Sequence, residues 1–284
     1  MVEVGCGQGT FFEIMAETLG RLPGPAVGFD PAWRGSDGDG PATARLFRAY
    51  YDRSAAMQVG GTPDAIICRH TIEHVPDPLA FLSGIGTASH SRSARLFVET
   101  PCVNWIFDHR QIQDLFYEHC SLFTAANLAQ AIEGAGFGGA AVTHVFHGQY
   151  LWAEARPDGG SVGSAPVPNF DEWQLHKERY VAYWQTTVAE AAARGPVYLW
   201  GGGSKGVTFA LLIDPNGEAL AGAIDINPMK QGCFLPLTGL PVLPPERLPR
   251  SGATVIIMNP AYTTEIASQI HAMGCDAQVL SLAD

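Results

Sequence analysis

Charge is sparse in this sequence. Only 16% of its 284 residues are Asp, Glu, Lys or Arg, and 17 basic residues face 28 acidic ones, leaving −11 at pH 7. An acidic surface argues against nucleic acid and anionic membrane as partners, while leaving room for a local cationic pocket for phosphate. The six cysteines, Cys6, Cys68, Cys102, Cys120, Cys233 and Cys275, contain no CxxC pair. That excludes a zinc ribbon or a disulfide framework and suits reduced thiols in the cytoplasm. No apolar run approaches the ~20 residues of a membrane span, and no charged leader precedes an apolar stretch. A cytoplasmic protein is therefore expected. The 46% of hydrophobic residues, in a chain long enough for two cores, argues against disorder.

Short apolar strands alternate with helical stretches from the first residue. VEVG, AVGFD, DAIICRH and ARLFVET are separated by the helix FFEIMAETLG, by a Gly/Asp/Pro-rich loop at Gly35 to Pro41 with a segment around Arg45 to Tyr51, and by a helix around Pro78 to Thr87. This predicts a mostly parallel sheet covered on both faces. A helix at Ala125 to Gly134 precedes AAVTHVF and QYLWAEA, expected as an antiparallel closing pair. The stretch from Arg156 to Phe170 is rich in Gly, Ser and Pro and reads as a linker, followed by a helix from about Asp171, its cap, to Ala193. The alternation then restarts with VYLW, KGVTFALLI, AGAIDIN, ATVIIMN, a helix at Thr263 to Met273, and AQVLSL. The expected fold is α/β: a Rossmann-like sheet in residues 1–155, a linker and connecting helix in 156–194, and a second, smaller Rossmann-like domain in 195–284.

Gly5, Gly7 and Gly9, with Cys6 among them, form a turn stripped of side chains between a strand and a helix. Such a turn lets the backbone approach a ligand, and the free N–H groups at the helix start favour polar or anionic atoms. Asp30, at the next strand end, is placed to accept both hydroxyls of a ribose. Glu3, before the turn, can hold an ammonium group. An ammonium, a ribose and close backbone contact describe S-adenosylmethionine better than a dinucleotide. Arg69 and His70, at the carboxyl end of DAIICRH, are expected to line the same pocket.

His70-Thr71-Ile72-Glu73-His74 matches the HxxEH string of inverted zinc peptidases. His70 at a strand end and His74 just before Pro76 leave too little helix to align both rings, so no metal is assigned. The link after ARLFVET is crowded with candidate chemistry: Tyr117, Glu118 and His119 in succession, Asp108 and His109 upstream, and Glu99 at the strand end. A link leaving the carboxyl end of a parallel sheet overhangs the ligand. His119 is a candidate general base, Glu118 its orienting carboxylate or the base itself, and Tyr117 a donor to an enolate oxyanion. The alternative is that His119 and Glu118 cap the helix beginning near Thr124.

VEVGCGQG, DAIICRHTIEHVPDP, EHCSLFT and GGGSKG…DINPMKQGCFLP together resemble the nucleotide-sugar C-methyltransferase family. The resemblance implies a class I methyltransferase fold and S-adenosylmethionine as cofactor. It also implies methylation, through an enolate, of a sugar carbon next to a ketone on a nucleotide-activated sugar. The family's Glu-His pair falls on Glu118 and His119, its tyrosine two residues before the Glu falls on Phe116, and the polar residue next to the Glu falls on Tyr117. In the family an N-terminal zinc domain precedes this sequence; its absence here suggests that Met1 is not the natural start or that the substrate differs.

Gly201 to Gly206 form a second turn, containing a full GxGxxG after VYLW, with Asp225 19 positions beyond the last glycine. Read alone, this is a dinucleotide fingerprint and points to a nicotinamide-dependent oxidoreductase. The resemblance implies instead that Gly201, Gly203, Ser204, Lys205, Asp225 and Lys230 bind the substrate, with a lysine on its phosphates. Transfer to oxygen or nitrogen, and a cofactor binder without turnover, are further readings. Nothing in the sequence specifies an oligomeric state.

Overall fold

The computed structural model describes residues 1–60, 63–89, 94–156 and 170–282. The chain divides into two compact units, Met1–Asp108 with Glu118–Pro168, and His109–Tyr117 with Asn169–Asp284. The linker expected at 157–169 lies outside the described residues, as does the side chain of Asp171. Among the described residues no helix is long and apolar enough to cross a membrane.

The first unit runs β1 (Val2–Val4), α1 (Thr10–Leu19), β2 (Val27–Phe29), β3 (Arg45–Phe47), α2 (Arg53–Val59), β4 (Ala65–Arg69), α3 (Pro78–Ser89) and β5 (Arg95–Pro101). It continues with α4 (Val103–Asp108), α5 (Ala125–Gly134), β6 (Gly138–Val145) and β7 (Tyr150–Arg156). The strands lie in the order β3-β2-β1-β4-β5-β7-β6. All neighbours are parallel except β7, antiparallel to both β5 and β6 as expected of the closing pair. Ile66, Leu96, Val98, Leu151 and Ala153 from the sheet pack with Leu82, Ile85, Leu128 and Ile132 from α3 and α5. Hydrophobic residues facing helices on both sides explain why the central strands read as apolar runs. Strand order reverses about β1 and β4, so the helical connections leave in opposite directions and open a crevice at their carboxyl ends.

Among the described residues of this unit, three short elements escape the sequence pattern. The segment around Arg45 contains β3, a three-residue edge strand paired to β2. Asp52 starts α2, its Oδ1 accepting from the N–H of Ala55 at 2.8 Å. The third, α4, has only six residues, too few for a helical period to show.

The second unit contains α6 (Phe170–Ala192), β8 (Val197–Trp200), α7 (Ser204–Ile213), β9 (Gly222–Ile224), β10 (Val242–Leu243), β11 (Ser251–Ile257), α8 (Thr263–Ala272) and β12 (Asp276–Ser281). Its sheet, β10-β9-β8-β11-β12, is parallel throughout. Alternation along β8 sends Val197 and Leu199 into a core with Trp184 and Phe209, and Tyr198 and Trp200 into another with Ile266 and Ile270. Both faces of the sheet are thereby covered. Its own reversal, between β8 and β11, opens a second crevice.

Gly206 is fixed by packing: a β-carbon there would stand 2.1 Å from the carbonyl oxygen of Gly201. Gly206→Ala must push α7 off β8, an overpacking cost of about 1–3 kcal/mol. Calorimetry should show a lowered unfolding transition for the second unit.

Candidate functional site

At the end of β1 the chain turns through Gly5, Gly7 and Gly9 at φ of 77°, 56° and 86°, conformations that disfavour any side chain. A β-carbon at Gly5 would lie 2.0 Å from Oγ1 of Thr71, whereas one at Gly7 would meet nothing within 4 Å. The first glycine packs against the loop after β4; the second leaves the backbone accessible to a ligand. Asp30, just beyond β2, holds the turn: its Oδ2 accepts from the N–H of Gly7 at 2.8 Å and its Oδ1 from that of Ala32 at 2.7 Å. About four acceptor positions exist on a carboxylate, so capacity remains for ribose hydroxyls. The Cys6 side chain belongs to a buried cluster with Phe12, Leu22 and Leu46, and only its backbone serves the turn. Burial, then the charges of Glu3 and Asp30, push its thiol up to about 12.

Below the turn lies a buried charge cluster. Glu3 is 3% exposed, and its Oε2 makes no hydrogen bond. Burial raises its pKa to about 7, with Arg69 opposing. Arg69 bridges two carboxylates, with Nη1 3.8 Å from Glu3 Oε1 and Nε 3.5 Å from Glu99 Oε1, and its guanidinium lies over the Phe11 ring. His70 is held at φ 46°, its Nε2 2.8 Å from Glu99 Oε1 and its Nδ1 3.6 Å from Glu73 Oε1. Burial pulls its pKa down, but hydrogen bonds and charge from Glu73 and Glu99 outweigh this and carry it up to about 9. Burial likewise opposes ionisation of Glu99, yet His70 and Arg69 keep its pKa below the ordinary value. Thr100 donates to Glu73 Oε2 at 3.0 Å, fixing the carboxylate between the two strands' ends.

The chain after α4 returns to this cluster. The main-chain carbonyl of Glu73 accepts from the N–H groups of Cys120 and Ser121 at 2.7 and 3.0 Å. His119 is thereby brought beside Glu73 and His74, with ligand-type atoms of all three within 4.8 Å of one another. Its ring meets that of His74 edge to face. Burial lowers the His119 pKa, with Glu73 pulling upward more strongly than Glu118 and with His74 adding to the depression. The carboxylate nearest in effect is therefore Glu73; Glu118 is exposed, and its carbonyl oxygen lies 3.3 Å from His74 Nδ1. Tyr117 is 49% exposed and belongs to the second unit. Asp108 and His109 are also exposed. The N-cap of α5 is Thr124, which with Asn127 caps the helix reciprocally. In the HxxEH string, His74 ends a single 3₁₀ turn, Ile72–His74, while His70 precedes it with a left-handed backbone. The string thus does not form the helical pair its sequence resembles.

The second turn repeats the first. Gly202 donates to Asp225 Oδ2 at 2.9 Å across 23 residues, the separation found between Gly7 and Asp30. Asn227 N–H holds Oδ1 at 2.8 Å, and Lys230 Nζ stands 3.1 Å from Oδ2. Lys205 Nζ is 2.8 Å from buried Asp114. A cavity of about 590 Å³ opens here, with Phe116, Trp200, Ser204, Lys205, Tyr262 and Glu265 among its walls. Both candidate lysines stand on carboxylates.

Residues 1–141 match the model of a methyltransferase domain, and residues 162–278 that of a C-methyltransferase C-terminal domain. The chain joins a methyltransferase domain to the C-terminal domain of C-methyltransferases. Among curated proteins it is similar to the C-methyltransferase NovU of Streptomyces niveus, with 23% identity over 268 residues, covering 87% of this chain and 63% of NovU. The chain thus spans less than two thirds of that relative. Among solved structures, a SAM-dependent methyltransferase from Aquifex aeolicus aligns with a TM-score of 0.39 and 16% identity, over 55% of this chain and 81% of that one. The CMeT domain of the citrinin polyketide synthase aligns with a TM-score of 0.41 and 14% identity, over 56% and 46% of the two chains.

The methyltransferase domain is chemically suited to S-adenosylmethionine. Its unsatisfied, buried Glu3 oxygen matches an ammonium group, and the open backbone at Gly7 admits a close ligand. Because burial raises the Glu3 pKa, the ionised form is destabilising in the folded protein. Stability without cofactor is fullest below the unfolded pKa, near 4.5, and falls as pH rises through about 7. Glu3→Gln should remove that decline, worth on the order of 3 kcal/mol, and raise the melting midpoint at pH 8 relative to wild type. The same variant should bind S-adenosylmethionine more weakly in calorimetric titration; unchanged affinity would remove Glu3 from the site.

Proposed function

We propose that this protein methylates a carbon next to a ketone on a nucleotide-linked sugar. The observation carrying the reading is the pair of unlike histidines around Glu73: His119, depressed by burial, and His70, raised to about 9. A neutral imidazole is a base, and an imidazolium is an electrostatic partner for a developing oxyanion.

Gly5, Gly7 and Gly9 with Asp30 hold the nucleoside of S-adenosylmethionine, Glu3 its ammonium, and Arg69 its carboxylate. Bound there, the cofactor supplies an electrophilic methyl group. His119 removes the proton next to the sugar carbonyl, and Glu73 stabilises the imidazolium that forms. His70, its two ring nitrogens on Glu99 and Glu73, offers the enolate oxygen fixed positive charge and no hydrogen bond, the part the sequence reading gave to Tyr117. Glu118 adds a weaker charge at His119. Residues 1–155, apart from the excursion 109–117, serve methyl transfer, and 195–284 serve the substrate, with 156–194 connecting them. In the second domain the turn and cavity from Gly201 to Lys205 receive uncharged parts of the substrate. A nicotinamide dinucleotide is disfavoured there, because Lys230 occupies the carboxylate its ribose needs.

The test is transfer of labelled methyl from S-adenosylmethionine to nucleotide-linked keto-sugars, with the product located by mass spectrometry and NMR. His119→Ala should lower kcat about 10²–10⁴-fold while sparing cofactor affinity. Since the depressed His119 is active when neutral, wild-type kcat at saturating cofactor should rise with pH along a limb centred below 6.5 and level off by neutrality. Methylation confined to oxygen or nitrogen, or full turnover in the His119 variant, would overturn the proposal.

A further inference from the structure

We propose that the second unit carries an oxyanion site, built for phosphate-type groups, in a cavity between Arg110 and one face of α6. The cavity, about 270 Å³, is lined by Arg110, His176, Arg179, Tyr180 and Tyr183. The four helical residues recur at i, i+3, i+4 and i+7, which aligns them along a single stripe. Among the described residues no carboxylate lines the space. In a chain of net charge −11, a wall of two guanidiniums, an imidazole and two phenols is a local inversion of the overall field.

The cations differ from those at the glycine turn. Lys205 and Lys230 are neutralised by Asp114 and Asp225. Among the described residues neither Arg110 nor Arg179 has a carboxylate oxygen within 4.0 Å. Planar guanidiniums present paired N–H donors that match phosphate oxygens better than a lysine does. Arg110 is also held in an unfavourable backbone conformation, at φ 56°. Its carbonyl accepts from the N–H of Ile112 at 3.0 Å. Two adjacent side chains anchor the segment: Gln113 accepts from the Tyr180 hydroxyl at 3.2 Å, and Asp114 pairs with Lys205. Strain of this kind persists where surroundings over-determine it, commonly at ligand sites. The space falls just below the ~300–1,000 Å³ of whole-ligand pockets, which suits a phosphate or diphosphate group rather than a complete nucleotide sugar.

The group has two possible sources: free phosphate or pyrophosphate, or the diphosphate of a nucleotide substrate. Only the second rests on the function proposed above. Calorimetric titration of the full chain at low salt with inorganic pyrophosphate, and separately with UDP, distinguishes them. Arg110→Gln and Arg179→Gln should each weaken pyrophosphate binding about tenfold, as expected for loss of a charge-assisted hydrogen bond. Arg194→Gln, an equal change in net charge at an exposed position outside the cavity, should leave it within about twofold. Unchanged melting curves would establish that the variants are folded, both arginines being exposed. Tighter binding of UDP than of pyrophosphate, with the same arginine dependence, supports the nucleotide source; equal affinities support the free oxyanion. No pyrophosphate binding by wild type, or equal weakening by all three substitutions, would overturn the site. Pyrophosphate binding that depends on the two arginines, in a protein that methylates no nucleotide sugar, would overturn the substrate reading and leave the site standing.

Discussion

Three carboxylates, Glu3, Glu73 and Glu99, are 3%, 2% and 6% exposed at the crevice formed by β1, β4 and β5. Among the described residues two cations, Arg69 and His70, pair with them. With every group ionised, the cluster holds one negative charge too many, and an uncompensated buried charge costs several kcal/mol. The excess settles on Glu3, whose pKa near 7 expresses that cost. A bound group bearing a positive charge beside Glu3 would balance the cluster, which ties cofactor binding to the stability of the crevice. The same constraint shapes the backbone. His70 accepts a left-handed conformation because two carboxylates hold its ring, and the following Thr71 closes on Gly5.

The two units solve one local problem alike and then diverge. In each, a carboxylate beyond the second strand accepts from a glycine N–H in the turn after the first. This ties strand end to turn and prevents the glycines, with their wide conformational freedom, from collapsing into the crevice. Asp30 engages only backbone N–H groups, so acceptor capacity remains on both oxygens. Asp225 carries the same two kinds of backbone bond, from Gly202 and Asn227, and adds Lys230 as a third donor on Oδ2. Burial opposes ionisation of Asp225, yet these contacts and Lys230 keep its pKa below the ordinary value, and Lys230 takes acceptor capacity on Oδ2 that Asp30 keeps for a ribose. A shared turn therefore does not imply a shared ligand.

Much of this architecture was legible in the sequence because each central strand is an apolar run flanked by turn residues, and each long helix has a recognisable boundary. The α5 bounds, Ala125 to Gly134, coincide with the expected ones because Thr124 caps the start and a glycine-rich end stops it. The short edge strand β3 and helices α2 and α4 were not legible, since their length is below the period that reveals them. At the candidate site, the order of the chain pointed to Glu3 within β1 and to Asp30, Arg69, His70 and His119 at strand ends or in the following link, and the structure gathers Glu3, Arg69 and His70 into one charge cluster. It did not single out Glu73 as the partner of His119. That pairing depends on the Glu73 carbonyl capturing Cys120 and Ser121, a contact across nearly fifty residues. The one local signal was a carboxylate flanked by Ile72 and His74 in a segment otherwise headed for burial.

Two histidines of equal intrinsic basicity have been separated by their neighbours. His70 lies between two buried carboxylates and retains its proton at neutral pH; His119 shares Glu73 more distantly, faces His74, and loses it. Environments that push like groups apart are how one site provides both acid and base at a single pH. The division also has a direction. Carbon deprotonation next to a carbonyl generates negative charge on oxygen while the base becomes positive, so the imidazolium must already be charged and the base must begin neutral. Exchanging the two environments would leave a protonated base and an uncharged oxyanion partner. The asymmetry created by Glu99, which contacts His70, is therefore as much a requirement of the proposed chemistry as the histidines themselves.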